Sequence, residues 1–449
     1  MRDVIVTLIV FGSVPFILRS PMIGVLMWSW LAYMNAHRAC WGFARSMPFA
    51  QAVVLSLLFS LLISKEDKKI PWTRETILLV IFVLWMLITT IFALNPDEAW
   101  EQWNKIWKIQ LVTFLTMMVM KDLRRLHLLV MIIALSLGFY GVKGGVFTVL
   151  SGGSYHVWGP DGTFIAGNNE IGLALNMTIP LIRYLQMYSK PVWLKNGCLV
   201  ALSLCVVAVL GTQSRGALLG LVAMGTFLVM KGKNRFLYAS LAVVGGAILY
   251  QFMPESWHER MSTIKSYDKD GSAMGRINAW GFAINLASSR LLGGGFETFD
   301  PDLFTIYAPD PFDFHDAHSI YFEILGEQGF IGLAMFLTLG VFTWRSATRI
   351  AREANRYPDL KQLADMVRMI QVSLVGYAVS GAFLGLAYFD LYYALIAIVV
   401  MSGYVLRKHI AEIQDGHSES LRIASALPTP GKVRSFVRKP PAGDTVKSG

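Results

Sequence analysis

Two histidines and an aspartate, His315, Asp316 and His318, stand directly ahead of an apolar run in the segment HDAHSIYFEILGEQGFIG, residues 315–332. Imidazole titrates near neutral pH and a neighbouring carboxylate tunes it, so these residue types suit general acid–base chemistry. Glu323 follows His318 by five residues, close enough for one intervening group to connect them. An ionisable side chain that far into an apolar run must face protein or a water-filled cavity rather than lipid. Gly326, Gly329 and Gly332 recur at every third position and read as a groove for close helix contact.

Guanidinium groups are the second ingredient. Arg215 lies in GTQSRGALLG, residues 211–220, between two apolar runs, with Ser214, Gly216 and Ala217 leaving room beside it. Its planar fork can grip phosphate through two parallel hydrogen bonds; snorkelling to lipid headgroups is the plainer use. Arg276 and Arg290 bracket the apolar positions of RINAWGFAINLASSRLLGGGFETF, residues 276–299. They sit in a mainly acidic loop, where an anionic ligand or salt bridges to those carboxylates would each account for them. Asn168 and Asn169, in FIAGNNEIGLAL at residues 164–175, offer amide donors for sugar or phosphate oxygens, or a helix cap.

Metal chemistry finds only fragments. His315 and His318 are three apart but lack a third ligand at zinc spacing, and Asp268-Lys269-Asp270-Gly271 begins a calcium loop without completing it. No metal and no cofactor are expected.

These residues need elements to position them, and the composition says which. Of 449 residues, 54% are hydrophobic and 16% charged, with mean hydropathy +0.49, the profile of an integral membrane protein. Backbone groups in lipid must be satisfied internally, so the fold class is an all-α polytopic membrane protein. Candidate spans are 46–64, 75–94, 107–121, 125–149, 168–188, 193–212, 215–231, 235–252, 318–344, 369–388 and 391–406. Residues 4–36, interrupted by Pro15 and by Arg19-Ser20-Pro21, form two half-helices or a hairpin. A signal peptide over residues 1–18 is disfavoured because no small-residue cleavage site follows.

Basic stretches at 65–69, 121–125, 190–195, 231–235, 345–368 and 407–408 fall at alternate connections and mark the cytoplasmic side. The formal charge of +10 is thus explained by topology, and no nucleic-acid partner is expected. The count comes to about 12 transmembrane helices with both chain ends inside. The domains are then an N-terminal bundle over 1–252, a large helical outward-facing loop or lid over 253–317, C-terminal helices over 318–406, and a disordered basic cytoplasmic tail over 407–449. The lid helix is expected to bury Ile277, Trp280, Ala283, Ile284, Leu286 and Ala287. Trp100, Trp103 and Trp107 read as an interfacial anchor, and Cys40, Cys198 and Cys205 form no disulfide or metal pattern.

With HSIYFEILGEQGFIG at 318–332, the large loop before the penultimate hairpin and about a dozen spans, the chain resembles the O-antigen ligase and polymerase superfamily, and within it the lipopolysaccharide O-antigen ligases. The resemblance implies a GT-C-like glycosyltransferase in the bacterial inner membrane, its active site facing the periplasm among membrane lipids. The donor would be a glycan on undecaprenyl pyrophosphate and the acceptor a hydroxyl of lipid A–core oligosaccharide. By the same resemblance the reaction is metal-independent and inverting. His318 is assigned to catalysis, with Glu323 in support, and Arg215, Arg290 and Arg276 to the pyrophosphate, leaving Asn168, Asn169 and His315 as weaker substrate contacts. O-antigen polymerase, protein O-oligosaccharyltransferase, a metal-dependent transferase using Asp97 and Glu98, and a lipid-linked glycan transporter are the alternatives.

Overall fold

A computed structural model describes residues 1–231, 235–262 and 271–426. The chain runs through α1 (Arg2–Arg19), α2 (Pro21–Met34), α3 (Phe49–Ile63), α4 (Arg74–Ile91), α5 (Pro96–Val119), α6 (Leu123–Leu150), α7 (Asn168–Tyr188) and α8 (Val192–Gly211). It continues through α9 (Arg215–Lys231), α10 (Arg235–Phe252), α11 (Glu255–Ser262), α12 (Gly271–Ser289), α13 (Pro301–Tyr307), α14 (Ile320–Ala354), α15 (Lys361–Ser380) and α16 (Asp390–Ala426). Among the described residues six helices are long and apolar enough to cross a bilayer: α4, α6, α8, α14, the Pro358–Phe383 segment containing α15, and α16 as far as Asp415. Three shorter apolar helices, Pro21–Met34, Phe49–Ile63 and Arg215–Met230, accompany them. The protein is an all-helical polytopic membrane protein. Large apolar side chains on these helices, Leu62, Leu150 and Val200 among them, point outward, as a lipid-facing surface requires.

The helices begin and end where the sequence chemistry changes. Thr73 caps α4 by accepting from the Thr76 N–H at 3.3 Å, and Asp122 caps α6 by accepting from that of Arg125 at 2.9 Å. Fewer helices meet the length and hydropathy of a span than the dozen expected, because α5 opens on PDEAWEQWNKIWK and α7 on NNE. Pro21 starts α2 after an extended Ser20, which settles residues 4–36 as a helical hairpin.

That hairpin corrects the expected topology. The Asp3 carboxylate accepts from the N–H groups of Gly42 and Ala44 at 3.0 and 3.1 Å, while Ser60 donates to the Leu18 carbonyl at 3.4 Å. Helices α1, α2 and α3 therefore make three passes, α2 antiparallel to the other two, and residue 3 lies at the end where α2 finishes, not with the basic 65–69 turn. At that turn, Arg125 grips Glu66 through two bonds of 2.6 and 3.0 Å and Lys121 pairs with Asp67 at 2.8 Å, so two of the basic connections do meet at one end.

Residues Met1–Leu406 form one compact unit. Inside it α6 and α8 pack closely because Gly145 has no side chain: a Cβ there would overlap the Leu204 backbone. Cys198 and Cys205 lie buried on α8, and Cys40 is buried ahead of α3; all three are free thiols. A second unit starts at Arg407, where α16 continues to Ala426. Its first residues are thus helical rather than disordered, with Lys408 and Glu412 facing each other one turn apart at 4.0 Å; residues 427–449 lie outside the described residues.

Helix α14 is broken at Gly329, which adopts φ 67°, ψ −176°, a conformation essentially restricted to glycine. The break frees carbonyls, and a glycine turn takes them: Gly294 N–H donates to Gly326 O at 2.8 Å and Gly295 N–H to Glu327 O at 2.9 Å. The Trp85 indole takes the third, Gln328 O, at 2.9 Å. Gly326 does provide close approach, to Phe299 and Ala283, but Gly329 is a joint rather than part of a groove. The expected 369–388 span also breaks, at the Gly381–Phe383 3-10 turn, leaving an irregular Leu384–Phe389 strap before α16.

Residues 276–289 lie in α12, whose buried face keeps the expected Ala283, Leu286 and Ala287 but is shifted toward Ala279 and Phe282. Ala279, Phe282, Ala283, Leu286 and Ala287 are inside, while Ile277 and Ile284 are each 43% exposed. Phe282, Leu286 and Phe304 of α13 pack over Leu94 at the end of α4, and Ala283 and Ala287 pack against Leu325 of α14. α12 thus covers the end of α4 and runs beside the first turns of α14.

Candidate active site

His318 stands at the entry to α14 with φ 41°, a left-handed conformation uncommon for a residue with a side chain. It is held from both sides by Trp280 of α12, whose indole donates to Ala317 O at 2.9 Å and stacks on Phe322 with ring centroids 4.7 Å apart. Backbone strain of this kind persists only where surrounding contacts enforce it. Burial pushes the His318 imidazole below its usual range; Asp316 opposes this, and the charges of Arg276 and His315 add to it. Arg276 lies one turn before Trp280 on α12, so its charge, like those of Asp316 and His315, acts on His318. The His315 ring lies directly on the α12 backbone at Gly275, where a Cβ would overlap it, and its Nδ1 is 3.1 Å from Asp313 Oδ1.

Beside them is a cavity of about 240 Å³ lined by four carboxylates, Glu297, Asp316, Glu323 and Glu327, with Gln102 and Tyr388. Glu323 does not hold the His318 ring: its Oε2 accepts from the Ala387 N–H at 3.0 Å and so fixes the strap before α16. The carboxylate that acts on the imidazole is Asp316. Glu327 accepts from Tyr388 OH at 2.6 Å and from Glu297 N–H at 3.0 Å, and Tyr388 also receives a bond from Gln328 at 3.2 Å. Burial, with Asp316 nearby, pushes the Glu297 carboxyl above the usual range. Glu327 had a signal in the sequence, since it lies four residues after Glu323 and thus on the same helical face. Glu297 and Tyr388 had none, because they reach the cavity from segments remote in the chain.

The arginines divide. Arg215 opens α9 after a turn in which Gln213 has φ 54° and Ser214 Oγ accepts from the Ala217 N–H at 3.2 Å. The adjoining Gly216 lies against Phe383, and Gly381 of the same 3-10 turn lies against Ile320, which links Arg215 to the start of α14 through one layer of residues. Arg290 is 14 residues beyond Arg276 on α12 or its end, about 21 Å along a helix. Its guanidinium donates to the carbonyls of Phe92 at 2.9 Å and Gly293 at 3.1 Å, fastening the glycine turn. Asn168 donates to Thr212 O at 2.9 Å, bracing the turn ahead of Arg215 and capping nothing, since Gly167 is the cap residue of α7. Asn169, beside it, is half-buried.

Among the described residues no three His, Cys, Asp or Glu side chains are gathered as metal ligands, and Asp268 to Asp270 lie outside those residues. Asp97 and Glu98 sit in the first turn of α5, where acidic groups suit the helix dipole, and Glu98 accepts from Asn95 at 2.9 Å.

Comparison with known families bears on the same segment. The O-antigen ligase family matches residues 200–337, a stretch that includes Arg215, Arg276, Arg290, His315, His318 and Glu323. That match places residues 200–337 in the O-antigen ligase superfamily. A family of unknown function, DUF5935, matches residues 1–190, which hold Asn168 and Asn169. No curated protein matches the chain. The match to the O-antigen ligase family over this segment implies a glycosyltransferase-like membrane enzyme acting on lipid-linked glycans.

Proposed function

We propose that the chain is an O-antigen ligase: it transfers a glycan from undecaprenyl pyrophosphate to a hydroxyl of lipid A–core oligosaccharide, at the periplasmic face of the bacterial inner membrane. The observation that carries this reading is that the charges of Asp316 and Arg276 both act on the half-buried His318 imidazole, and that Asp316 also lines the carboxylate-lined cavity. In the reaction, His318 accepts the proton of the acceptor hydroxyl as its oxygen attacks the anomeric carbon. The bond from that carbon to the pyrophosphate oxygen breaks, and the leaving group departs with the electron pair. Arg276 and Arg215 offset the charge that develops on it, the kind of electrostatic assistance that dominates many such sites. A single displacement inverts the anomeric centre and calls for no metal. Asp316 stabilises the imidazolium formed, and Glu323 holds the Leu384–Phe389 strap that lines the cavity.

The test uses purified full-length protein with carrier-linked glycan and lipid A–core. Transfer is expected to be lost in His318→Ala, and normal transfer by that variant would overturn the base assignment. In cells, deletion is expected to leave polymer on its carrier and the core bare. Single repeat units on the carrier would favour a polymerase instead.

A further inference from the structure

A second and larger cavity, about 480 Å³, adjoins the first, and Gln102, Phe164 and Phe389 line both. Its volume falls within the range of small-molecule sites, about 300–1,000 Å³. Three of its polar atoms are buried and have no hydrogen-bond partner: Tyr33 OH, Asp390 Oδ1 and His37 Nδ1. Tyr33 is 1% exposed and Asp390 8%, so neither side chain has access to bulk water as compensation. A buried polar group without a partner costs free energy, and such groups gathered on one cavity wall mark where a ligand supplies the missing bonds. Burial, with Arg38 alongside, holds His37 below the usual imidazole range, so its neutral ring can donate from one nitrogen and accept at the other.

The rest of the lining states the ligand's chemistry. Arg38 and Lys105 bring positive charge; Lys105 pairs with Glu101 in an exposed contact at 3.1 Å, and its charge also reaches Glu297 of the adjoining cavity. Phe164 and Phe389 offer flat apolar walls. Aromatic faces for C–H groups, a carboxylate and a phenol for vicinal hydroxyls, and cations for an anion describe a charged sugar.

We propose that this cavity is a sugar subsite, taking a pyranose-sized glycan unit that bears phosphate or carboxylate: Tyr33 and Asp390 bind its hydroxyls, and Arg38 with Lys105 binds its anionic substituent. The inference rests on the glycan-transfer reading of the adjoining cavity and gives it a specificity element built from α2, α5 and the start of α16. Donor and acceptor glycans share this chemistry.

The test is equilibrium binding to the full-length protein in lipid nanodiscs, followed by saturation-transfer NMR with glucose 6-phosphate, glucuronic acid, glucose and inorganic phosphate. Charged sugars are expected to bind best. Arg38→Ala combined with Lys105→Ala should reduce their affinity about tenfold, to the level of glucose, whereas Tyr33→Phe should weaken charged and neutral sugars alike by about the same factor. Because Tyr33→Phe removes only a hydroxyl, an unchanged melting midpoint will separate lost binding from lost fold. Phosphate binding as tightly as the sugar phosphate, or sugar binding retained in every variant, would overturn the proposal. Displacement of glucose 6-phosphate by released core oligosaccharide assigns the subsite to the acceptor, and displacement by released donor glycan assigns it to the donor; displacement by neither would also overturn it. Binding needs no turnover, so lost sugar binding with intact transfer removes only this inference. Normal transfer by His318→Ala would remove the transferase assignment and leave the binding result standing.

Discussion

Substitution of Gly329 by alanine tests the joint on which the site depends. At φ 67°, ψ −176° an alanine pays backbone strain of about 1–3 kcal/mol. Its Cβ would also overlap the Leu291 carbonyl and stand 3.0 Å from the Gly293 N, so the glycine turn must move away. That movement breaks the bonds from Gly294 to Gly326 and from Gly295 to Glu327, now 2.8 and 2.9 Å, at about 1 kcal/mol each. The expected loss is therefore about 3–5 kcal/mol, read as a fall of roughly 3–5 °C in the melting midpoint of the purified protein. Hydrogen exchange should show the Gly294 and Gly295 amides losing protection first. Gly12→Ala is the control: a Cβ at Gly12 in α1 meets nothing within 4 Å, so its midpoint should hold or rise slightly. Equal midpoints for the two variants, with the two amides still protected, would refute the account of the broken helix.

Further outcomes follow from the same geometry. Because His318 must be unprotonated to act and burial lowers its pKa, transfer should stay high as pH falls to about 6.5 and decline only below it. Asp316→Asn should move that acid limb lower and Arg276→Gln higher, and a limb that neither variant moves would count against the cluster. The sign for stability is the same: the unfolded histidine binds protons more readily, so this contribution is present above about 6.5 and shrinks as pH falls through that value. Arg290→Ala should cost about 1–3 kcal/mol by freeing the Phe92 and Gly293 carbonyls, with KM for the donor little changed; a raised KM at an unaltered midpoint would instead place Arg290 on the pyrophosphate. Turnover should survive chelation by EDTA, and loss that a divalent ion restores would favour the metal-dependent alternative.

The helical architecture was legible because long apolar runs and charged turns report directly on a bilayer, and α4, α6 and α8 fall within a few residues of their expected spans. The phase of α12 was legible only in part. Ile277 and Ile284 fit a buried stripe with Ala283, Leu286 and Ala287 as well as Ala279 and Phe282 do, and the choice between them is made by Leu94 and Leu325, far away in sequence. Three-residue spacing of glycines likewise fits a packing groove and a joint equally well until a partner backbone is present. The 315–332 segment pointed to His318 and its Asp316 neighbour and the charge pattern of the acidic loop pointed to Arg276, since each departs from an apolar or acidic background. It gave no hint of the support: Trp280 clamping the strained histidine, Glu323 holding a strap from the next hairpin, and Tyr388 joining Glu327 all depend on contacts between separate helices.

The three passes made by α1, α2 and α3 have a practical corollary. Position 3 and position 65 emerge at opposite ends of the bundle, and position 3 shares its end with Tyr33 and the cavities. A fluorescent or phosphatase reporter attached ahead of α1 would sample the compartment on the side of the two cavities, while the same reporter spliced into the Lys65–Lys69 turn would sample the other one.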